Sequence, residues 1–102
     1  MTNPKLNEKQ RKFLRGLAHD LNVVVQTGAA GLSEAVLAEI DGALTAHELI
    51  KVRFIAAERS DRDAMVEHCC EQLDALLIQR VGHVATLFRR NAKKPKIELP
   101  KK

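Results

Sequence analysis

The chain has 102 residues, with 17 Lys and Arg against 13 Asp and Glu, a formal net charge of +4 and a sequence pI near 9.3. That length suits one domain burying roughly 60–70 % of its unfolded surface, so folding requires neither a disulfide nor a metal, and two cysteines make no disulfide framework. A content of 45 % hydrophobic and 29 % charged residues argues against a disordered chain, no apolar run approaches the roughly 20 residues of a membrane span, and MTNPKLNEKQ lacks the apolar stretch of a signal peptide, so a cytoplasmic protein with no membrane partner is expected.

Asn7 followed by Gln10 has the form of a capping box, and Phe13, Leu14, Leu17 and Leu21 then recur at helical spacing, predicting a first helix over residues 8–20. At 100° per residue, Lys12, Arg15 and His19 fall away from Leu14, Leu17 and Leu21, with Lys9 and Arg11 flanking them. Val23, Val24 and Val25 read as a short strand feeding the loop Gly28, Ala29, Ala30, Gly31. Ser33 can cap a second helix with Val36, Leu37, Ile40 and Leu44 on one stripe and an end near Ala46. The run ELIKVRFIA predicts a half-buried strand, with Ile50, Val52 and Phe54 on one face and Lys51 and Arg53 on the other. Ser60 with Asp63 suggests another capping box, opening a third helix over residues 61–74 with Met65, Val66, Cys69 and Leu73 inward. Leu76 to Val81 and Val84 to Arg89 are joined by Gly82 and His83, a hairpin signal of the II′ type. The remaining residues, NAKKPKIELPKK, read as an extended basic tail, which divides the chain into a domain over residues 1–90 and a tail over 91–102.

The order helix, strand, helix, strand, helix, strand, strand predicts an α/β fold. The simplest architecture is a mixed four-stranded sheet with helices packed on it, in two layers or with one helix on the far face.

Charge is distributed in opposed blocks. Residues 1–30 carry five basic against two acidic side chains, residues 31–78 four against ten, and residues 79–102 eight against one, giving +3, −6 and +7. Two basic ends around an acidic middle suit a polyanion-binding face built from both termini, provided the fold brings them together. The first helix and the segment after Arg89 are therefore expected on one side of the fold, near Gly28 and Gly31, with the acidic helices turned away.

Catalytic patterns are sparse. The G-x-x-G between a strand and a helix allows close backbone approach to a phosphate, and a similar loop clamps nucleotide backbone in KH domains. No G-x-G-x-x-G is present, and no G-K-[ST] follows the loop to hold a nucleotide and Mg²⁺. His68, Cys69 and Cys70 diverge by 100° per residue on a helix and lack a second ligand pair, so Cys69 reads as a small core hydrophobe rather than a ligand or nucleophile. Neither a catalytic constellation nor a cofactor site is expected. Phe13, Phe54 and Phe88 all fall on apolar stripes or strands, which assigns them to the core and leaves little for base stacking.

Taken together, EKQRKFLRGLAHDLNVVVQTGAAGLSEAVLAEIDGALTAHELIKVRF, the hairpin LIQRVGHVATLFRR and the closing KKPKIELP resemble the CRM domain (chloroplast RNA splicing and ribosome maturation), in its bacterial single-domain YhbY-like form. The resemblance implies a fold similar to the C-terminal domain of translation initiation factor three. It also implies RNA binding without catalysis, and association with large-subunit ribosomal RNA in pre-ribosomal particles. By the same resemblance the loop 28–31 and the basic first helix form the RNA face. Members commonly carry a basic residue between the two glycines, where this chain has Ala29 and Ala30. The expected contacts are thus Lys9, Arg11, Lys12 and Arg15, the backbone of Gly28, Ala29, Ala30 and Gly31, and Arg89, Arg90, Lys93 and Lys94 as reinforcement. No small-molecule substrate is expected. The alternative reading is an adaptor for ribosomal or assembly proteins that uses the acidic helices.

Overall fold

The computed structural model describes residues 5–28 and 30–101. Its elements follow the predicted order: α1 (Glu8–Ala18), β1 (Val23–Gln26), α2 (Glu34–His47), β2 (Leu49–Arg53), α3 (Arg59–Leu73), β3 (Leu76–Val81) and β4 (Val84–Phe88). The four strands form one sheet in the order β1-β2-β4-β3. β1 and β2 are parallel and joined through α2, whereas β4 is antiparallel to both β2 and β3. Consequently β2 and β3 run the same way, and the β3–β4 hairpin inserts its second strand between them. At the hairpin, Gly82 has φ +60° while His83 has no positive φ, the backbone pattern of a II′ turn.

Strand alternation sends side chains to two separate cores. Ile50, Val52 and Phe54 of the β2 segment join Ala85 and Leu87 of β4 beneath Ile40 and Leu44 of α2 and Val66 and Cys69 of α3. Leu49, Ile78 and Phe88 face the opposite side, where Leu14 and Ala18 of α1 cover them together with Leu6, Ile97 and Leu99. Among the described residues α1 is thus the one helix on its face, and the acidic helices α2 and α3 lie behind the sheet.

Two local expectations change. The third helix starts at Arg59 with Glu58 as N-cap and no side-chain cap, so the Ser60–Asp63 capping box does not form. Arg62 N–H donates to Glu58 O, which places Ser60 inside the first turn, and Asp63 is drawn instead into an ion pair with Arg80 at 2.7 Å. Phe13 is 37 % and Leu17 41 % exposed, because the buried stripe of α1 is Gln10, Leu14 and Ala18. The Asn7–Gln10 capping box does form, and Gln10 is turned inward further by its amide donating to Pro100 O at 3.0 Å.

The segment after β4 is extended and docked. Ile97 and Leu99 pack on the α1 core, and the carboxylate of Glu48, wholly buried, accepts from the backbone N–H groups of Asn91, Lys96 and Ile97 at 2.6, 2.8 and 2.7 Å. A buried charge is tolerable only when paired or hydrogen-bonded in this way.

Candidate nucleic-acid interface

The loop after β1 is fixed by its neighbours. Thr27 N–H donates to Arg53 O, and Thr27 Oγ1 accepts from Ile55 N–H at 2.9 Å, which anchors the loop to the end of β2. Gly31 N–H then donates to Gly28 O at 2.9 Å, closing a four-residue turn, and Ser33 Oγ accepts from Val36 N–H to start α2. Gly31 has φ +71°, a left-handed backbone that favours glycine. Gly28 has no such constraint, and a Cβ there would meet nothing within 4 Å, so internal packing leaves its outer side open. Gly28 and Ala30 are exposed and Gly31 is half-buried; Ala29 lies outside the described residues.

On α1, Lys9 and Lys12 are exposed and Arg11 and Arg15 half-buried. Arg11 Nη1 donates to Leu77 O at 3.1 Å, so its flank of the helix faces β3. Arg15 meets Glu8 at 3.2 Å in a surface ion pair of the kind that contributes little to stability. The other flank carries Leu17, which shares a cavity with Leu21, Val24, His47 and Ile97. Since the helical wheel puts Lys12 and Arg15 with Arg11 and opposite Leu17, the basic flank is turned away from the docked C-terminal segment.

The two basic ends therefore do meet at α1, but through its apolar flank, and the loop lies elsewhere. The loop follows Gln26, paired with Arg53, while Arg89 follows Phe88, paired with Leu49. Four residues of β2 separate these levels, about 13 Å along the strand. Arg89 is engaged by the fold: its guanidinium donates to Asp41 Oδ1 at 2.7 Å and to Leu73 O, Asp41 O and Thr45 Oγ1 at 3.0 Å. Arg90 is exposed and has a partner of its own. Lys93 and Lys94 are exposed, with backbone N–H groups donating to Asn91 Oδ1, and Lys93 borders a cavity that also holds Asp41 and Asp74.

Two cations counted within the acidic middle of the sequence stand on the α1 side of the sheet. Lys51 and Arg53 alternate with the buried Ile50, Val52 and Phe54 and border an open cavity with Gln79 and Thr86. The strand alternation is the signal that could have singled them out. Arg53 Nη1 lies 3.4 Å from Gln26 Oε1, beside the glycine loop.

No thiol chemistry is set up near these groups. Burial, with the neighbouring Cys70 charge as a lesser cause, pushes the Cys69 thiol up to about 12, and burial pushes Cys70 up to about 11. Both stay protonated near neutrality, the unreactive form. Among the described residues no group of three or more His, Cys, Asp or Glu could hold a metal ion, and no helix is long and apolar enough to cross a membrane.

The described residues form a small α/β module with the basic flank of α1, Lys51 and Arg53 on one side of the sheet and the acidic α2 and α3 on the other. The CRS1 / YhbY (CRM) domain model matches residues 6–89, and the chain belongs to this family. It is 44 % identical over 97 residues to a Haemophilus influenzae protein named RNA-binding protein, covering 95 % of this chain and 97 % of that one. It is 33 % identical over 95 residues to the Probable RNA-binding protein YqeI of Bacillus subtilis, covering 93 % of this chain and 99 % of YqeI. The solution structure of the hypothetical protein SAV1595 from Staphylococcus aureus superposes with a TM-score of 0.79 at 32 % identity, covering 94 % of this chain and all of that one.

Proposed function

We propose that this protein is a non-catalytic RNA-binding factor acting in the cytoplasm on precursors of the large ribosomal subunit. Structured RNA is held mainly through its phosphates. Lys9, Arg11, Lys12 and Arg15 supply the charge, and the backbone of residues 28–31 allows close approach. Arg89 serves the fold, and Lys93 borders Asp41 and Asp74, so the C-terminal cations are not counted among the contacts. The observation that carries this reading is the segregation of charge: the basic flank of α1 lies on one side of the sheet and the acidic α2 and α3 on the other. The names of the relatives supply the class of ligand.

If about five phosphates are neutralised, log K for RNA falls against log[salt] with a slope of roughly −3.5 to −4.5. Substituting Lys12 and Arg15 by Ala lowers both the affinity and the slope. A salt-independent affinity, or one unchanged in that variant, contradicts the assignment. Sedimentation with large-subunit precursors tests the setting. Release by ribonuclease supports RNA as the partner, and retention supports the adaptor reading through the acidic helices.

A further inference from the structure

Beside the strip covered by α1, the α1-side sheet face carries two further rows of side chains across the strands. Val23 pairs with Lys51, Lys51 with Thr86 and Thr86 with Gln79; one level on, Arg53 pairs with Val84 and Val84 with Val81. Together with Leu21 and Asn22 these residues line an open cavity of about 490 Å³ that contains no acidic residue. Val81 is 65 % exposed and Arg53 and Gln79 are exposed too, whereas Val23, Lys51 and Val84 are half-buried and Thr86 is buried beneath them. The basic flank of α1, opposite the one that meets the C-terminal segment, faces β3 on the side of these rows.

We infer that this groove is a binding site for single-stranded RNA, distinct from the phosphate contacts of the loop and first helix, and resting on the reading of the protein as an RNA binder. Charge complementarity selects the occupant: two cations with no acid among them suit a polyanion. Lys51 and Arg53 are two residues apart on β2, about 6.7 Å, comparable to the spacing of successive phosphates along an extended strand. The remaining floor discriminates between RNA forms. Asn22 and Gln79, both exposed, offer amide groups to base edges, with Leu21, Val23, Val81 and Val84 as apolar seats for the base faces. Watson–Crick base edges are accessible in single strands and taken up by pairing in an A-form duplex. With no aromatic on the floor, recognition depends on charge and hydrogen bonding rather than on stacking.

The test compares two probes, a short oligouridylate and an RNA hairpin with a fully paired stem. The variant Lys51→Gln with Arg53→Gln is set against a control of equal charge loss, Lys96→Gln with Lys101→Gln. The groove variant is expected to lose affinity for oligouridylate and to reduce the steepness of its salt dependence by about 1.4 in log–log slope, two contacts at ~0.7 each for a single strand. Hairpin binding and the thermal transition stay close to those of the unmodified protein, which also shows that the variant is folded. Equal effects of the two charge-loss variants on oligouridylate, or equal losses for both probes in the groove variant, overturn the assignment. If the unmodified protein binds neither RNA, the RNA-binding reading fails and the groove falls with it. If it binds the hairpin while the groove variant keeps full oligouridylate affinity, only the groove is refuted.

Discussion

At the scale of single residues, the two loop glycines differ in what they are needed for, and substitution separates them. Gly31 is required by its backbone, φ +71°, so Gly31→Ala is expected to lose about 1–2 kcal/mol of stability, seen as a lower melting temperature. Gly28 is not required by packing, and Gly28→Ala should leave the melting temperature unchanged or slightly raised while lowering RNA affinity severalfold. A loss of stability without loss of binding in Gly28→Ala would contradict its role in close approach. Glu48 is a second position where one side chain decides much. It has φ +65°, a conformation uncommon outside glycine, and is held there by five hydrogen bonds, three to its carboxylate and two through its own backbone to Leu44 O and Arg89 N–H. Glu48→Ala strands three backbone donors and is expected to lose at least about 3 kcal/mol in urea denaturation. The cysteines give a pH dependence of known sign. Their folded values, about 12 and about 11, lie above the ordinary 9.0, so the contribution of the protonated thiols is complete below pH 9 and declines as pH rises toward 11 and 12. Alkylation of Cys69 at pH 8 should accordingly be slow in the native protein and fast in denaturant.

Among the elements, α3 and the C-terminal segment show where local signals end. α3 begins without a side-chain cap, so Glu58→Ser, placing a hydroxyl at the N-cap, is expected to add about 1 kcal/mol, measured by thermal or urea unfolding. The hydrophobic periods of α2, β2 and the hairpin were legible in the sequence because each is written in contiguous residues with its own cap or turn. Two signals were not. The phase of α1, which leaves Phe13 and Leu17 outside, follows from Leu14 and Ala18 packing on Leu49, Ile78 and Phe88 and from Gln10 donating to Pro100 O, 90 residues away. Glu48 reads as one more solvated acid, since backbone N–H donors have no residue-type signature. For the same reason residues 91–101 read as a basic tail by composition, while their docking is set by Ile97, Leu99 and a carboxylate at the end of α2.

Over the whole molecule, the opposed charge blocks of the sequence become opposed faces of a sheet, although not through a simple meeting of the two ends. The acidic middle contributes α2 and α3 to one side, yet strand alternation sends its Lys51 and Arg53 to the other, where they join the basic flank of α1. The C-terminal cations stay largely apart, with Arg89 tied to Asp41 and Lys93 near Asp41 and Asp74. The proposed binding face, drawn from strand alternation and one helix flank, is only partly visible as runs of charge, which is why the first helix stood out in the sequence and the sheet floor did not. The most direct measurement is the mapping of backbone amide chemical shifts during titration with oligouridylate. Perturbations concentrated at Asn22 and Val23, Lys51 to Arg53 and Val84 to Thr86 are predicted. Perturbations confined to the outer surfaces of α2 and α3, or to the Leu17 and Ile97 side of α1, would contradict the assigned RNA face.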